Sequence, residues 1–336
     1  MTKDEQRVSS VLGGETDFRK CAIIGCGNVG ATTAYTLMQT GWFSEMVLID
    51  INRRRAEGEA SDIAHGLPFH TPMDIYAGDY PDLADCGLII ITAGANQKPG
   101  ETRMDLTRTN ARIFHSIVEE IIRYNSSAIL LVVTNPVDVL TYVTLKASGF
   151  PAHRVIGSGT VLDTARLKTM VGRHLGVDNR NVHTFIIGEH GDSELPVWSS
   201  ANVSGVDLHH YYESCGRGYD DAVLEGLFED VRDSAYKIIA AKGATYYAIA
   251  ESVKRIVSAI VRDENTILPV SALVDGHYGL EDVCMSLPCI VSASGIRQVL
   301  EIPLCEEEEI RLHRSARALK DAIHMLESEA LSSAGM

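Results

Sequence analysis

The sequence predicts an α/β fold: a doubly wound parallel sheet in the first half, followed by an α+β domain. Two observations predict it. Apolar runs of strand length recur at 21–25, 46–49, 88–91, 129–133 and 155–156. They are nearly continuous rather than alternating, as parallel strands buried on both faces require. Segments with helical spacing lie between several of them, for example 31–39 and 111–124. That alternation is what crossover helices on a sheet produce, each crossover being right-handed.

The second half is less regular. Residues 163–175 read as a helix, with Leu167, Met170, Val171 and Leu175 on one side, and 230–260 read as one long helical pattern. Residues 267–303 mix Pro, Gly and short apolar runs, as antiparallel hairpins do. The last helix is marked by Leu312, Ala316, Leu319, Ile323 and Leu326, which step by four and three. The acids Glu306, Glu307, Glu308 and Glu309 at its start suit the positive end of a helix dipole.

The bulk properties set limits. With 336 residues, 45% hydrophobic and 22% charged, the chain has room for two domains of ordinary core size. A formal net charge of −15 argues against nucleic acid as the main partner. It also means that an anionic substrate needs local arginines to overcome a repulsive far field. The seven cysteines include no CxxC pair and read as small apolar residues kept reduced in a cytosol. Residues 1–17 have no apolar core of a secretory signal, and no run approaches the ~18 apolar residues of a spanning helix. The expectation is a cytoplasmic protein without membrane attachment.

Gly25-Cys26-Gly27-Asn28-Val29-Gly30 is a GxGxxG between a strand and a helix, and Asp50 ends the next strand twenty residues past the last glycine. Together these meet the conditions of the dinucleotide-binding Rossmann fingerprint. Gly25 permits the tight turn, Gly27 lets backbone approach a pyrophosphate, and Gly30 lets helix pack on strand. The pyrophosphate sits on free N–H groups at the helix start. Asp50 favours NAD over NADP, because it repels a 2′-phosphate. Arg53-Arg54-Arg55 read as the solvated start of a helix.

Three further stretches carry polar chemistry. "TNPVD" (134–138) ends a strand, where open α/β sheets bind ligands. "GSGTVLDTAR" (157–166) puts Asp163 and Arg166 at i and i+3, on one helix face. "GEHGDS" (188–193) sets His190 between Glu189 and Asp192 and between two glycines. A histidine so placed caps a turn, binds a metal or moves a proton, and the motif alone leaves all three open.

With the glycine fingerprint, "TNPVD", "LDTAR" and "GEHGDS" in this order, the chain resembles the L-lactate dehydrogenases of the lactate/malate dehydrogenase family, bacterial in type, from about residue 19 to 328. The resemblance implies an NAD-binding Rossmann domain over 19–158, a catalytic domain over 159–330 and an N-terminal tail over 1–18. It implies that His190 exchanges a proton with the substrate's C2 oxygen, with no metal. Asp163 holds the imidazole, Arg166 grips the substrate carboxylate with two parallel bonds, and Asn135 bonds the substrate oxygen. Arg103, carried by a polar lid at 95–103, polarises the carbonyl. Cofactor contacts fall on Gly25, Gly27, Asn28, Val29, Gly30, Asp50, Thr92, Ala93, Gly94 and Asn135.

The same resemblance places Gln97 against the substrate's C3 substituent and Thr245 on the opposite side. A neutral Gln97 leaves a second carboxylate unpaired, which is expensive to bury. The expected substrates are therefore pyruvate and L-lactate rather than oxaloacetate and malate. Fructose 1,6-bisphosphate sites in this family use an Arg and a His; here Lys168 and His183 hold those positions, and lysine lacks the bidentate fork. A homotetramer is implied. The rival readings are a malate or other L-2-hydroxy acid dehydrogenase, a non-catalytic NAD-binding protein and an NAD-dependent glycosidase.

Overall fold

The computed structural model describes residues 17–95, 100–216 and 218–334. The first half alternates as expected: β1 (Lys20–Ile24), α1 (Asn28–Met38), β2 (Glu45–Ile49), α2 (Arg53–Ala64), β3 (Asp74–Ala77), β4 (Leu88–Ile91), α3 (Arg103–Tyr124), β5 (Ile129–Val132), α4 (Val137–Ser148) and β6 (Val155–Gly157). These six strands are parallel in the order β3-β2-β1-β4-β5-β6. The chain reverses direction across the sheet between β1 and β4, which opens a crevice at their carboxyl ends.

Alternate residues of each strand feed opposite faces. Ala22, Ile24, Ile89 and Ile91 pack with Phe114, Ile117 and Leu140 of α3 and α4. Cys21, Ile23, Leu88 and Ile90 pack with Ala34 and Leu37 of α1 on the other face. Burial on both sides explains the unbroken apolar runs. β3 was not expected: Asp74 is exposed and only Ile75 is fully buried, so this edge strand carries little hydrophobic signal.

The second half adds α5 (Val161–Leu175), β7 (Val182–His183), β8 (Ile186–Ile187), β9 (Leu195–Pro196), β10 (Asn202–Val203), β11 (Val206–Asp207), α6 (Leu208–Ser214), α7 (Asp221–Lys242), α8 (Tyr247–Val261), β12 (Thr266–Val274), β13 (Val283–Ser292), β14 (Gly295–Val299) and α9 (Glu306–Ala334). The single long helix expected over 230–260 is two helices. Gly243, at φ +84°, ends α7, and α8 starts four residues later. The hairpins expected over 267–303 are β12, β13 and β14. β12 lies antiparallel beside β6 through Ser271 and Gly157, so one nine-stranded sheet spans both halves. A further apolar core joins Leu167, Val171 and Leu175 of α5 to Phe228 and Val231 of α7. Five cysteines are buried and two, Cys215 and Cys305, are exposed; all are free. Among the described residues no helix is long and apolar enough to cross a membrane.

Candidate active site

The glycine turn has the geometry its sequence asks for. Gly25 has φ +101°, and a Cβ there would lie 2.4 Å from the Ala93 nitrogen. A Cβ on Gly30 would lie 1.8 Å from the Gly25 oxygen and 2.7 Å from Thr92 Oγ1. Thr92 Oγ1 already donates to that same Gly25 oxygen at 2.7 Å. Over Gly27 there is open space, and this N-cap has no side-chain bond. The first N–H groups of α1, at Asn28, Val29 and Gly30, lack helical acceptors. They form an uncovered, electropositive cradle.

Asp50 stands beside the cradle, taking the Cys26 N–H at 2.7 Å and the Asn52 N–H at 2.8 Å. Across the turn, Gly94 packs on Thr134, where a Cβ would meet the threonine methyl at 2.4 Å. The donors, the bare glycine and the acid together fit a dinucleotide. Arg53, Arg54 and Arg55 are exposed at the start of α2, and Arg53 and Arg55 pair with Glu57 and Glu59.

His190 is held from several elements. β8 leads into its turn and is pinned to α5, where Thr164 Oγ1 accepts the Ile186 N–H at 2.9 Å. Gly188 exchanges backbone bonds with Ser286 of β13, both 2.9 Å. The His190 backbone N–H donates to the buried Asp138 carboxylate of α4 at 2.7 Å. Its ring Nδ1 lies 2.6 Å from Asp163 Oδ2, while Arg166 Nη1 donates to Asp163 Oδ1 at 2.9 Å. The Asp163 side chain is 4% exposed, Arg166 13% and His190 25%. The ring therefore keeps one face open while its aspartate is sealed.

The electrostatics follow. Burial works against a charged His190, but Asp163 outweighs it by charge and hydrogen bond, with help from Glu194 and Asp138, and lifts the imidazole to about 9. Burial likewise opposes a charged Asp163, yet His190 and then Arg166 hold it below its ordinary value. The result is a protonated imidazole at neutral pH whose ring is oriented by an ionised carboxylate, which also keeps the remaining proton on Nδ1 once the other has left.

Arg103, the first residue of α3, reaches the same turn. Its Nη1 bonds Asp192 at 2.6 Å and its Nη2 bonds Glu189 at 3.2 Å. A Cβ on Gly191 would lie 2.4 Å from Arg103 Nη2, so that glycine leaves the guanidinium its seat. Glu189 is steadied by Ser193 Oγ at 2.5 Å. Asn135 is exposed at the end of β5; its carbonyl accepts from Asn110 Nδ2 at 2.9 Å. Thr245 is half-buried in the link between α7 and α8. Gln97 lies outside the described residues.

Two acids were missed by sequence reasoning. Asp138 is 1% exposed, and burial pushes its carboxyl up to about 6 against the bond from His190. Glu194 is 5% exposed, and its carboxylate, that of Asp163 and a His190 ring nitrogen lie within 4.8 Å of one another. The signal was present: Asp138 stands amid Val137, Val139 and Leu140, and Glu194 precedes Leu195 and Val197. Such acids in apolar runs are buried. Lys168 is half-buried on α5, where burial lowers its ammonium, and His183 is exposed on neighbouring β7.

A proton-bearing imidazole, a guanidinium beside it and a dinucleotide cradle, all at the carboxyl ends of the parallel strands, suit hydride chemistry on a small anion. Comparison with known proteins agrees. Residues 19–157 match the model of the lactate/malate dehydrogenase NAD binding domain, and 160–330 that of the family's alpha/beta C-terminal domain. An L-lactate dehydrogenase of Acetivibrio thermocellus is 53% identical over 309 residues, 92% of this chain and 98% of its own. Another, from a Thermoanaerobacter species, is 53% identical over 308 residues, 92% and 99% of the two chains. The ligand-bound crystal structure of the minor L-lactate dehydrogenase from Enterococcus mundtii superposes with a TM-score of 0.89 at 42% identity. It covers 91% of this chain and 98% of that one.

Proposed function

The chain belongs to the lactate/malate dehydrogenase family, and on that premise we propose that it is an NAD-dependent L-lactate dehydrogenase, interconverting pyruvate and L-lactate. The observation that carries the reading is the Arg166–Asp163–His190 chain, bonded at 2.9 and 2.6 Å. Bound NADH supplies a hydride to the carbonyl carbon. The pyrophosphate is assigned to the N–H groups of Asn28, Val29 and Gly30 above Gly27, with Gly25 shaping the turn. Asp50 takes the adenosine ribose, and Thr92, Ala93, Gly94 and Asn135 line the remaining cofactor surface.

His190 gives its proton to the developing alkoxide and Asp163 stabilises the imidazolium until then. Arg166 has N–H groups beyond the one on Asp163 with which to grip the substrate carboxylate as a fork. Arg103 exchanges Glu189 and Asp192 for the carbonyl oxygen, which it polarises together with Asn135. Gln97 and Thr245 select a small neutral C3 group. Size alone discriminates weakly, by about 1–3 kcal/mol per methylene, so 2-oxobutyrate is accepted too.

The enzyme is assigned to the cytoplasm as a homotetramer. Lys168 and His183, on neighbouring elements, are assigned as the fructose 1,6-bisphosphate positions, with an ammonium in place of a fork, and the response ranges from none to full activation. The deciding assay follows NADH oxidation with pyruvate or oxaloacetate, each with and without fructose 1,6-bisphosphate. Faster turnover of pyruvate supports the assignment. Faster turnover of oxaloacetate would move the protein to the malate branch of the family.

A further inference from the structure

Glu194 is used by none of the steps above, yet it is an acid with almost no access to water, set against the proton donor. It enters the cluster from the strand side, just before β9, and its backbone N–H closes the turn on the Gly191 oxygen at 3.2 Å. The charged and titratable groups around it come from three directions. Asp163 and Arg166 face it from α5, His190 from its own turn, and Arg232 from α7. Asp138 of α4 faces the same histidine from the other side.

Count the charge of this pocket at neutral pH. Asp163 and Asp138 are negative, while Arg166, Arg232 and His190 are positive. If Glu194 were ionised, these six would sum to zero and the cluster would offer an anion no net charge, in a protein of net charge −15. If Glu194 is neutral, the pocket carries one positive charge, the complement of a 2-oxo acid's carboxylate. Burial first, and then the Asp163 charge, raise the Glu194 carboxyl to about 9, which keeps it neutral where the enzyme works.

Resting on the dehydrogenase reading, we propose that Glu194 is a positioning residue that sets the proton hold of His190. Neutral, it preserves the pocket's single positive charge for an anionic substrate. Ionised, it stabilises the imidazolium, so the histidine and the glutamic acid release their protons as an interacting pair rather than independently.

The test uses the full chain with bound NADH. In Glu194→Gln the side chain keeps its shape but can never become negative. His190 then loses its proton at lower pH, and the alkaline fall of kcat at saturating pyruvate, which reads the donor's proton rather than the pull on the anion, moves down by about one unit, the scale of one close charge. An unmoved alkaline limb, in a variant whose melting temperature matches the parent, overturns the proposal. A second measurement needs neither variant nor turnover. The ring resonances of His190, followed by NMR from about pH 7.5 to 11, above the range in which Asp138 titrates, should change in two steps in the unmutated protein. A single one-proton curve overturns the coupling. Because that titration needs no substrate, a protein that shows both steps yet fails to reduce pyruvate would sink the dehydrogenase reading alone.

Discussion

Asp138 and His190, 52 residues apart, are joined by a 2.7 Å bond from the histidine's backbone N–H to the buried carboxylate. The same histidine is joined to Asp163 through its ring at 2.6 Å. One acid therefore fixes where the residue sits, and another fixes how its ring turns and what charge it carries. Asp138 adds to that charge from a distance, but only Asp163 touches the ring.

The first prediction concerns pH. His190 is lifted from 6.5 to about 9 in the folded protein. Reduction of pyruvate, which consumes the imidazolium, should hold through neutral pH and fall as pH rises through about 9. The linkage has the same sign for stability. A raised histidine contributes stability that is fully present below its unfolded value, about 6.5, and lost as pH climbs to about 9. Asp163→Asn should bring the activity fall back toward neutral pH and flatten the stability loss in urea titrations. An Asn variant with the parental pH profile would show that Asp163 does not set the charge.

Arg166→Lys should weaken pyruvate binding sharply. The arginine already spends one N–H on Asp163 at 2.9 Å. A lysine has one ammonium to divide between that acid and the substrate. The expected loss is roughly 2–5 kcal/mol, as for other buried charge pairs, read as a rise in pyruvate KM. An unchanged KM would remove Arg166 from the carboxylate site.

Gln97→Arg should raise turnover of oxaloacetate and lower that of pyruvate, since an arginine pairs the second carboxylate and a methyl group does not. The ratio of the two kcat/KM values is the measure. A ratio that stays put would refute the selector role.

The two glycines of the turn should part company. Gly30→Ala forces a Cβ to 1.8 Å from the Gly25 oxygen, so backbone must shift, at a cost of about 1–3 kcal/mol by analogy with overpacked cores. Its melting temperature should fall. Gly27→Ala meets nothing within 4 Å; it should melt like the parent and bind NADH less tightly, because the methyl stands where the pyrophosphate approaches. Equal melting temperatures for the two variants would contradict the packing role of Gly30.

Much of this was legible in the residue string, for physical reasons. Strands such as Leu88–Ile91 are buried on both faces, so their letters alone announce them. The glycine turn announces itself because only glycine fits at 25 and 30. β3 is an edge strand, half in solvent, and left no such trace. The break between α7 and α8 hides in Gly243, one residue whose positive φ no periodicity reveals. His190 and Asp163 stand out as motif letters, but their 2.6 Å contact joins separate elements and depends on the fold. Asp138 and Glu194 went unassigned because an acid's burial is set by what folds over it. Only their apolar neighbours hinted at that cover.

The shared sheet has a consequence for anyone who would treat the two halves as interchangeable modules. Cut after residue 158, the nucleotide half would end in β6 with its outer row of N–H and C=O groups bare. In the intact chain β12 lies against that row, pairing Ser271 with Gly157. Gly159 packs so tightly on Ser271 and Pro269 that a Cβ would come within 2.7 Å of both. A liberated half would carry a three-residue edge strand unpaired where the intact chain gives it a neighbour. Graft junctions belong in the surface loops on either side rather than at the boundary that the two activities suggest.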